Sequence, residues 1–258
     1  MSTIIYDSPI FGPIHSRRLG LSLGINLMPG DGKVCTFDCI YCECGFNAEH
    51  RPKSKRPTSI EVHDKLIEVL TQMKRKGQSP DVLTFAGNGE PTAHPDFKEI
   101  VIDTLALRDQ YCPDAKVSVL TNGTLVDRKN VFDALMSVDN NILKLDTAAP
   151  EYIGVVNRPI IWYNVGAQVK LFKRFNGHCI IQTMFMKGTY EGEDVSNLSN
   201  KYVAPWLRAI KRINPSEVMI YTIDRETPDK DLQKASPQEL DEIVARVEKL
   251  GIHATASY

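Results

Sequence analysis

Apolar and polar positions run along this chain in two alternating rhythms. Leu21-Ser22-Leu23-Gly24-Ile25-Asn26-Leu27 repeats with a period of two and predicts a strand. Thr58-Ser59-Ile60-Glu61 then forms a capping box ahead of Val62, Leu66, Val69, Leu70 and Met73, which fall at helical spacing, with Gly77 as the stop. A short strand is expected at 81–86 and a helix carrying Phe97, Ile100, Val101, Thr104 and Leu105. A strand at 116–120 precedes a helix with Val131, Phe132, Leu135 and Met136, for which Asp127 is the expected cap. The fourth strand is expected at 141–146, then a helix at 165–175, a strand at 179–186, a helix at 198–213 and a strand at 217–223. Ser236-Pro237-Gln238-Glu239 is a second capping box, with proline at the first helical position and Leu240, Ile243, Val244, Val247 and Leu250 behind it. A last strand is expected at 252–256.

Repeated strand–helix units imply an α/β fold with parallel strands and right-handed crossovers. Six units and a final strand fit a partial or closed (β/α) barrel, and equally a doubly wound open sheet, because periodicity does not separate the two. The chain has 258 residues and no linker rich in Pro, Gly or Ser, so one domain over 1–258 is expected, with its core at about 19–225 and a C-terminal helix and strand at 226–258. Lys and Arg number 31 against 32 Asp and Glu, which gives no global electrostatic reason to expect nucleic acid. No apolar run approaches the ~20 residues that span a bilayer, and the N-terminus lacks a secretory pattern. A cytoplasmic protein with no membrane contact is expected.

Four of the six cysteines, Cys35, Cys39, Cys42 and Cys44, lie within ten residues, while Cys112 and Cys179 stand alone. A disulfide framework belongs mainly to small secreted domains, and a chain this long folds without staples. Cys35, Cys39 and Cys42 form a C-x3-C-x2-C triplet. A structural zinc site needs four closed ligands, usually in two pairs, and no second pair follows. Three thiolates on one loop instead suit a [4Fe–4S] cube with one iron left open.

The triplet, with Tyr41 just before its third cysteine, resembles the signature of radical S-adenosylmethionine (radical SAM) enzymes. The resemblance implies a partial (β/α)6 TIM-like barrel, a [4Fe–4S] cluster on Cys35, Cys39 and Cys42, and S-adenosylmethionine on the open iron. Reductive cleavage would then yield a 5′-deoxyadenosyl radical that abstracts hydrogen from a substrate. A reductant such as flavodoxin or ferredoxin is implied as partner.

In parallel α/β folds the functional groups gather at the C-terminal ends of the strands. Gly87-Asn88-Gly89-Glu90-Pro91, Thr121-Asn122-Gly123, Lys144-Leu145-Asp146, Met184-Phe185-Met186 and Tyr221-Thr222-Ile223-Asp224-Arg225 stand there. Taken singly, the glycine-rich stretches read as tight turns, the methionines as core and Asp146 as a helix cap. Asn88, Gly89, Glu90 and Pro91 look like the Gly-Gly-Glu-Pro element that holds the methionine amino group, with Asn88 in place of a glycine. Lys144 and Asp146 are similar to residues touching the carboxylate and ribose, Asn122 is a further cofactor contact, and Tyr41 would lie near the adenine.

Ser16-Arg17-Arg18-Leu19-Gly20, Asn157-Arg158-Pro159 and Tyr221-Thr222-Ile223-Asp224-Arg225 resemble the wyosine-synthesising tRNA enzymes and their bacterial relatives. Their extra N-terminal cluster cysteines are absent, so the chemistry class transfers and the substrate does not. RNA (including tRNA base modification), peptides and small molecules stay open, as do the catalytic residues. Two other readings stand beside this one: an iron–sulfur electron-transfer protein, and a zinc-binding RNA-interaction protein with Cys44 as fourth ligand. Cys44, Cys112 and Cys179 are ligands to a second cluster or inert core thiols. His15 and His94 bind substrate or serve structure, and Arg17, Arg18, Arg158 and Arg225 are candidate anion clamps. Residues 51–76 hold eight Lys and Arg against three Asp and Glu, an RNA footprint or a solvated face.

Overall fold

The two rhythms resolve into strands and helices in the computed structural model, which describes residues 3–16 and 19–258. The strands are β1 (Ile10–Ser16), β2 (Gly20–Ile25), β3 (Val82–Phe85), β4 (Lys116–Thr121), β5 (Asn140–Lys144), β6 (Ile180–Met184), β7 (Met186–Tyr190), β8 (Glu193–Asp194), β9 (Glu217–Tyr221), β10 (Leu232–Lys234) and β11 (His253–Ser257). The helices are α1 (Ser59–Arg75), α2 (Phe97–Tyr111), α3 (Lys129–Ser137), α4 (Pro150–Tyr152), α5 (Val165–Lys173), α6 (Asn200–Ile213) and α7 (Pro237–Glu248).

Both capping boxes form: Thr58 and Ser236 accept from the amides of Glu61 and Glu239, whose carboxylates reach back to the cap amides. Asp127 does not cap α3; Arg128 holds that position without a side-chain bond, so α3 begins one residue later than a capping aspartate would start it. The buried stripe of α1 is Val62, Leu66, Leu70 and Met73, as helical spacing dictates. All four residues of β3 are buried, because a parallel strand is covered on both faces.

The main sheet runs β1-β2-β3-β4-β5-β6-β9-β11. From β2 to β11 every neighbouring pair is parallel and each strand lies beside the next parallel one in the chain. The doubly wound alternative needs the order to reverse within the sheet, and it does not. Winding in one direction, with strand twist, curls the sheet into a half-barrel.

Two features escape the sequence reading. β1 pairs antiparallel with β2 and adds an edge strand ahead of the first predicted unit. The strand expected at 179–186 breaks after Met184: β6 stays in the half-barrel, and β7 leaves it to join β8 and β10 in a small antiparallel sheet. Inside the half-barrel, Ile142, Ile180 and Met219 form an apolar layer, with Leu19 and Leu120 against it.

Candidate active site

The loop from β2 to α1 carries Cys35, Cys39, Cys42 and Cys44, all as free thiols. Its own apolar residues fix it. Phe37, Ile40 and Tyr41 pack with Tyr152, Val156, Met184 and Ile223. The amides of Asp38 and Ile40 donate to the carbonyls of Asn157 and Val156, both at 3.0 Å. These acceptors lie in a π-helical turn (Ile153–Asn157) that follows α4, so the cysteine loop rests on a second rigid segment.

Nitrogen donors point at the sulfurs. The Phe37 amide lies 3.5 Å and the Asn122 side-chain nitrogen 3.7 Å from Cys35 Sγ, and the Asn157 side-chain nitrogen lies 3.6 Å from Cys39 Sγ. Lys33 is 3% exposed, and its ammonium donates to the Gly45 carbonyl at 2.6 Å. Burial by itself lowers the Lys33 pKa, but Cys42, Cys35, Cys39 and Asp38 together carry it above its ordinary value. A hydrogen bond from the Cys44 thiol, aided by Lys33, lowers the Cys42 thiol against the effect of burial, and the same bond raises Cys44.

The turn after β3 is locked to this loop. Gly89 has φ +138°, and a Cβ there would lie 1.8 Å from the Val34 carbonyl oxygen, so only glycine allows the Val34–Gly89 bridge. Glu90, 1% exposed, accepts four hydrogen bonds: from the Thr92 amide and hydroxyl, the Thr121 hydroxyl and the Asn122 amide. Burial pushes its carboxyl up, and those four donors pull it back. Asn88 turns away from the cavity. Its side chain accepts from the Tyr6 amide at 2.8 Å and donates to the Tyr6 and Pro29 carbonyls at 2.8 and 2.9 Å. Pro91 opens the short 3-10 turn Pro91–Ala93.

At the end of β5, the Lys144 ammonium donates to Tyr41 Oη at 2.9 Å and Tyr221 Oη at 3.3 Å. Tyr41 in turn donates to Asp146, which also accepts from the Asn157 side chain at 2.7 Å and the Met184 amide at 2.9 Å. Burial lowers the Lys144 pKa, and Asp146, Tyr221 and Cys39 more than reverse this, so the ammonium stays charged.

A cavity of about 420 Å³ gathers these groups. Cys35, Cys39, Cys42, Tyr41, Gly89, Glu90, Asn122 and Lys144 line it, as does Cys44; Asn88, Pro91 and Asp146 do not, and act from behind its wall. Residues 31–199 match the radical SAM superfamily. The chain belongs to the radical SAM superfamily.

A UPF0026 protein of Synechocystis sp. is 31% identical over 229 residues, covering 87% of this chain and 78% of that protein. The chain spans 32% to 66% of the length of three further curated relatives it matches. Among solved structures, a radical SAM methyltransferase from Sphaerobacter thermophilus superposes with a TM-score of 0.68 at 15% identity, covering 92% of this chain and 66% of that one. TYW1 with a lysine-pyruvate adduct gives 0.63 at 11% identity, covering 88% and 73%. At such identities the likeness is one of fold. The cofactors of the superfamily are a [4Fe–4S] cluster and S-adenosylmethionine. Three free thiols with N–H groups aimed at sulfur, beside a buried ammonium that offsets thiolate charge, fit such a cluster in this radical SAM chain.

The remaining candidates divide clearly. Among the described residues no three His, Cys, Asp or Glu side chains converge on a point that would hold one metal ion. Cys112 and Cys179 are buried in the main core, and neither reaches the cavity. His94 is structural: one ring nitrogen pairs with the Pro57 carbonyl at 2.9 Å, and the other accepts from the Asp96 amide at 3.1 Å. His15 and Arg225 line the cavity, and Arg225 bridges Tyr6 Oη at 2.9 Å and Glu43 at 2.8 Å. Arg158 donates to Tyr190 Oη at 2.6 Å. Arg17 and Arg18 lie outside the described residues. Arg51, Lys53 and Lys55, like Lys74, Arg75 and Lys76, are exposed, the pattern of a solvated face. Lys33 and Gln182 carry no sequence motif, and only their place around the cavity identifies them; Asn157 and Tyr221 come from stretches that resemble the wyosine enzymes.

Proposed function

We propose that this chain is a radical SAM enzyme that takes a hydrogen atom from a substrate bound beside its cysteine loop. One observation carries the reading: a single cavity joins the three triplet thiols to polar groups from the ends of β3, β4 and β5. Cys35, Cys39 and Cys42 would hold the cluster, and the Gly89 backbone, Asn122 and Lys144 would meet S-adenosylmethionine. Bound together, these cofactors supply a 5′-deoxyadenosyl radical. Glu90 holds the strand ends in place, Asp146 and Asn157 orient Tyr41, and Lys144 offers positive charge to a carboxylate. Lys33 balances the charge of the thiolates.

A base within RNA is one candidate substrate, on the stretches that resemble the wyosine enzymes, and peptides and small molecules stand beside it. The same proposal places the enzyme in the cytoplasm with flavodoxin or ferredoxin as reductant. No helix among the described residues is long and apolar enough to cross a membrane. Anaerobic reconstitution with iron and sulfide, followed by dithionite and S-adenosylmethionine, should yield 5′-deoxyadenosine detectable by mass spectrometry. A fully loaded cluster that yields none, with or without RNA, would leave electron transfer or a cleavage that waits for another substrate.

A further inference from the structure

Gln182 is the one cavity-lining amide on β6. It is 7% exposed, lines the cavity, and makes no side-chain hydrogen bond among the described residues. Its amide opens onto the cavity and has no partner there among the described residues, so a ligand or a water is left to satisfy it. Strand register places it between Lys144 on β5 and Met219 on β9. Two residues below it on the same strand, Ile180 belongs to the apolar layer that closes the half-barrel. Gln182 therefore stands on the floor of the cavity, where whatever lies deepest must meet it.

The chemistry of that floor narrows the ligand. Ser22 and Thr84 pair their hydroxyls at 2.8 Å, the Glu90 carboxylate is saturated by four donors, and the other two cavity carboxylates, Glu43 and Asp224, are paired with Arg225 and Lys234. Lys144 already donates to two tyrosine hydroxyls, and a single shared ammonium is a poor phosphate site. A carboxamide offers one acceptor and one donor side by side, which matches a neutral lactam edge with its adjacent N–H and C=O. Tyr6, Phe11, Phe37, Tyr41 and Tyr221 also line the cavity, and rings favour a flat partner over an open chain.

We propose that Gln182 is a specificity-determining residue that reads the lactam edge of a planar heterocycle, such as a nucleobase, at the cavity floor. The assignment deepens the radical SAM reading and rests on it for the identity of the site. Its test is equilibrium binding to the anaerobically reconstituted protein with S-adenosylmethionine present. The probes are uridine and inosine, their N-methylated lactam analogues, cytidine, and a single-stranded oligouridine.

A lactam nucleoside should bind wild type about tenfold to a hundredfold more tightly than its N-methylated analogue. Gln182→Met, similar in length but without the amide, should erase that preference. Gln182→Glu, acceptor only, should turn the preference toward the amino edge of cytidine. Binding of oligouridine without the free nucleosides would place the base within RNA and keep the assignment. Equal affinity for methylated and unmethylated probes, or no binding of any probe, overturns it, and these wild-type comparisons stand even where a variant fails to fold. A loss of S-adenosylmethionine affinity in Gln182→Met also overturns it, because the amide then serves the cofactor. Binding of a lactam probe by a protein that never produces 5′-deoxyadenosine would fault the radical reading alone.

Discussion

Replacing Glu90 with glutamine removes one acceptor from a buried junction and changes almost nothing in volume. One carboxylate oxygen accepts from the Thr92 amide at 3.1 Å and from the Thr92 and Thr121 hydroxyls at 2.6 Å each; the other accepts from the Asn122 amide at 2.8 Å. An amide keeps its oxygen toward the three donors and turns its NH2 toward the Asn122 N–H. A buried backbone donor loses its partner, at a cost of about 1–3 kcal/mol. Glu90→Ala strands the Thr92 amide as well and should cost about 2–6 kcal/mol, offset in part by no longer burying a charge. Against a typical total of about 5–15 kcal/mol, either loss is measurable. Urea unfolding of the cofactor-free chain followed by circular dichroism would give the difference, with an unchanged slope showing that the unfolded state is the same. Hydrogen exchange at the Asn122 amide should accelerate selectively in Glu90→Gln. A Glu90→Gln protein within about 0.5 kcal/mol of wild type, with the Asn122 amide still protected, would refute the claim that this carboxylate ties β3 to β4.

Gly89→Ala should open the Val34–Gly89 bridge and abolish iron loading, whereas Gly77→Ala, with positive φ but open space around it, should cost only about 1–2 kcal/mol and load normally; equal iron content in the two would count against the bridge. Cys39→Ala should lose the cluster while helical content is kept, and Cys112→Ala and Cys179→Ala should retain full iron and sulfide by chemical assay. Loss of iron in either core variant would revive a second cluster. Burial holds the His94 imidazole below its ordinary value. In the folded state its pKa thus lies below the unfolded one of about 6.5, and the unfolded chain binds more protons in that window. Its contribution is complete above about pH 6.5 and fades as the pH falls toward the folded value. Urea midpoints measured near pH 7.5 and 5.5 should therefore fall less in His94→Gln than in wild type, and identical falls would remove His94 as the cause.

The sequence by itself determined the strand–helix alternation, both capping boxes and the cysteine triplet, because each rests on local spacing: period two, period 3.6, three residues from cap to N3, or thiols near enough in the chain to share one loop. It also named the glycine of the β3 turn, whose backbone no other residue adopts there. Whether the sheet winds once or doubles back lay outside it, since strand order is a property of pairing between distant segments. By its place in the family pattern, Asn88 reads as a cofactor contact standing where a glycine is usual. Tertiary structure shows the side chain clamping both polar groups of Tyr6, 82 residues away in sequence. Lys33 and Gln182 were invisible for the same reason. A lysine or an amide has no local signature, and its meaning comes from which buried groups, far apart in the chain, it is brought to face.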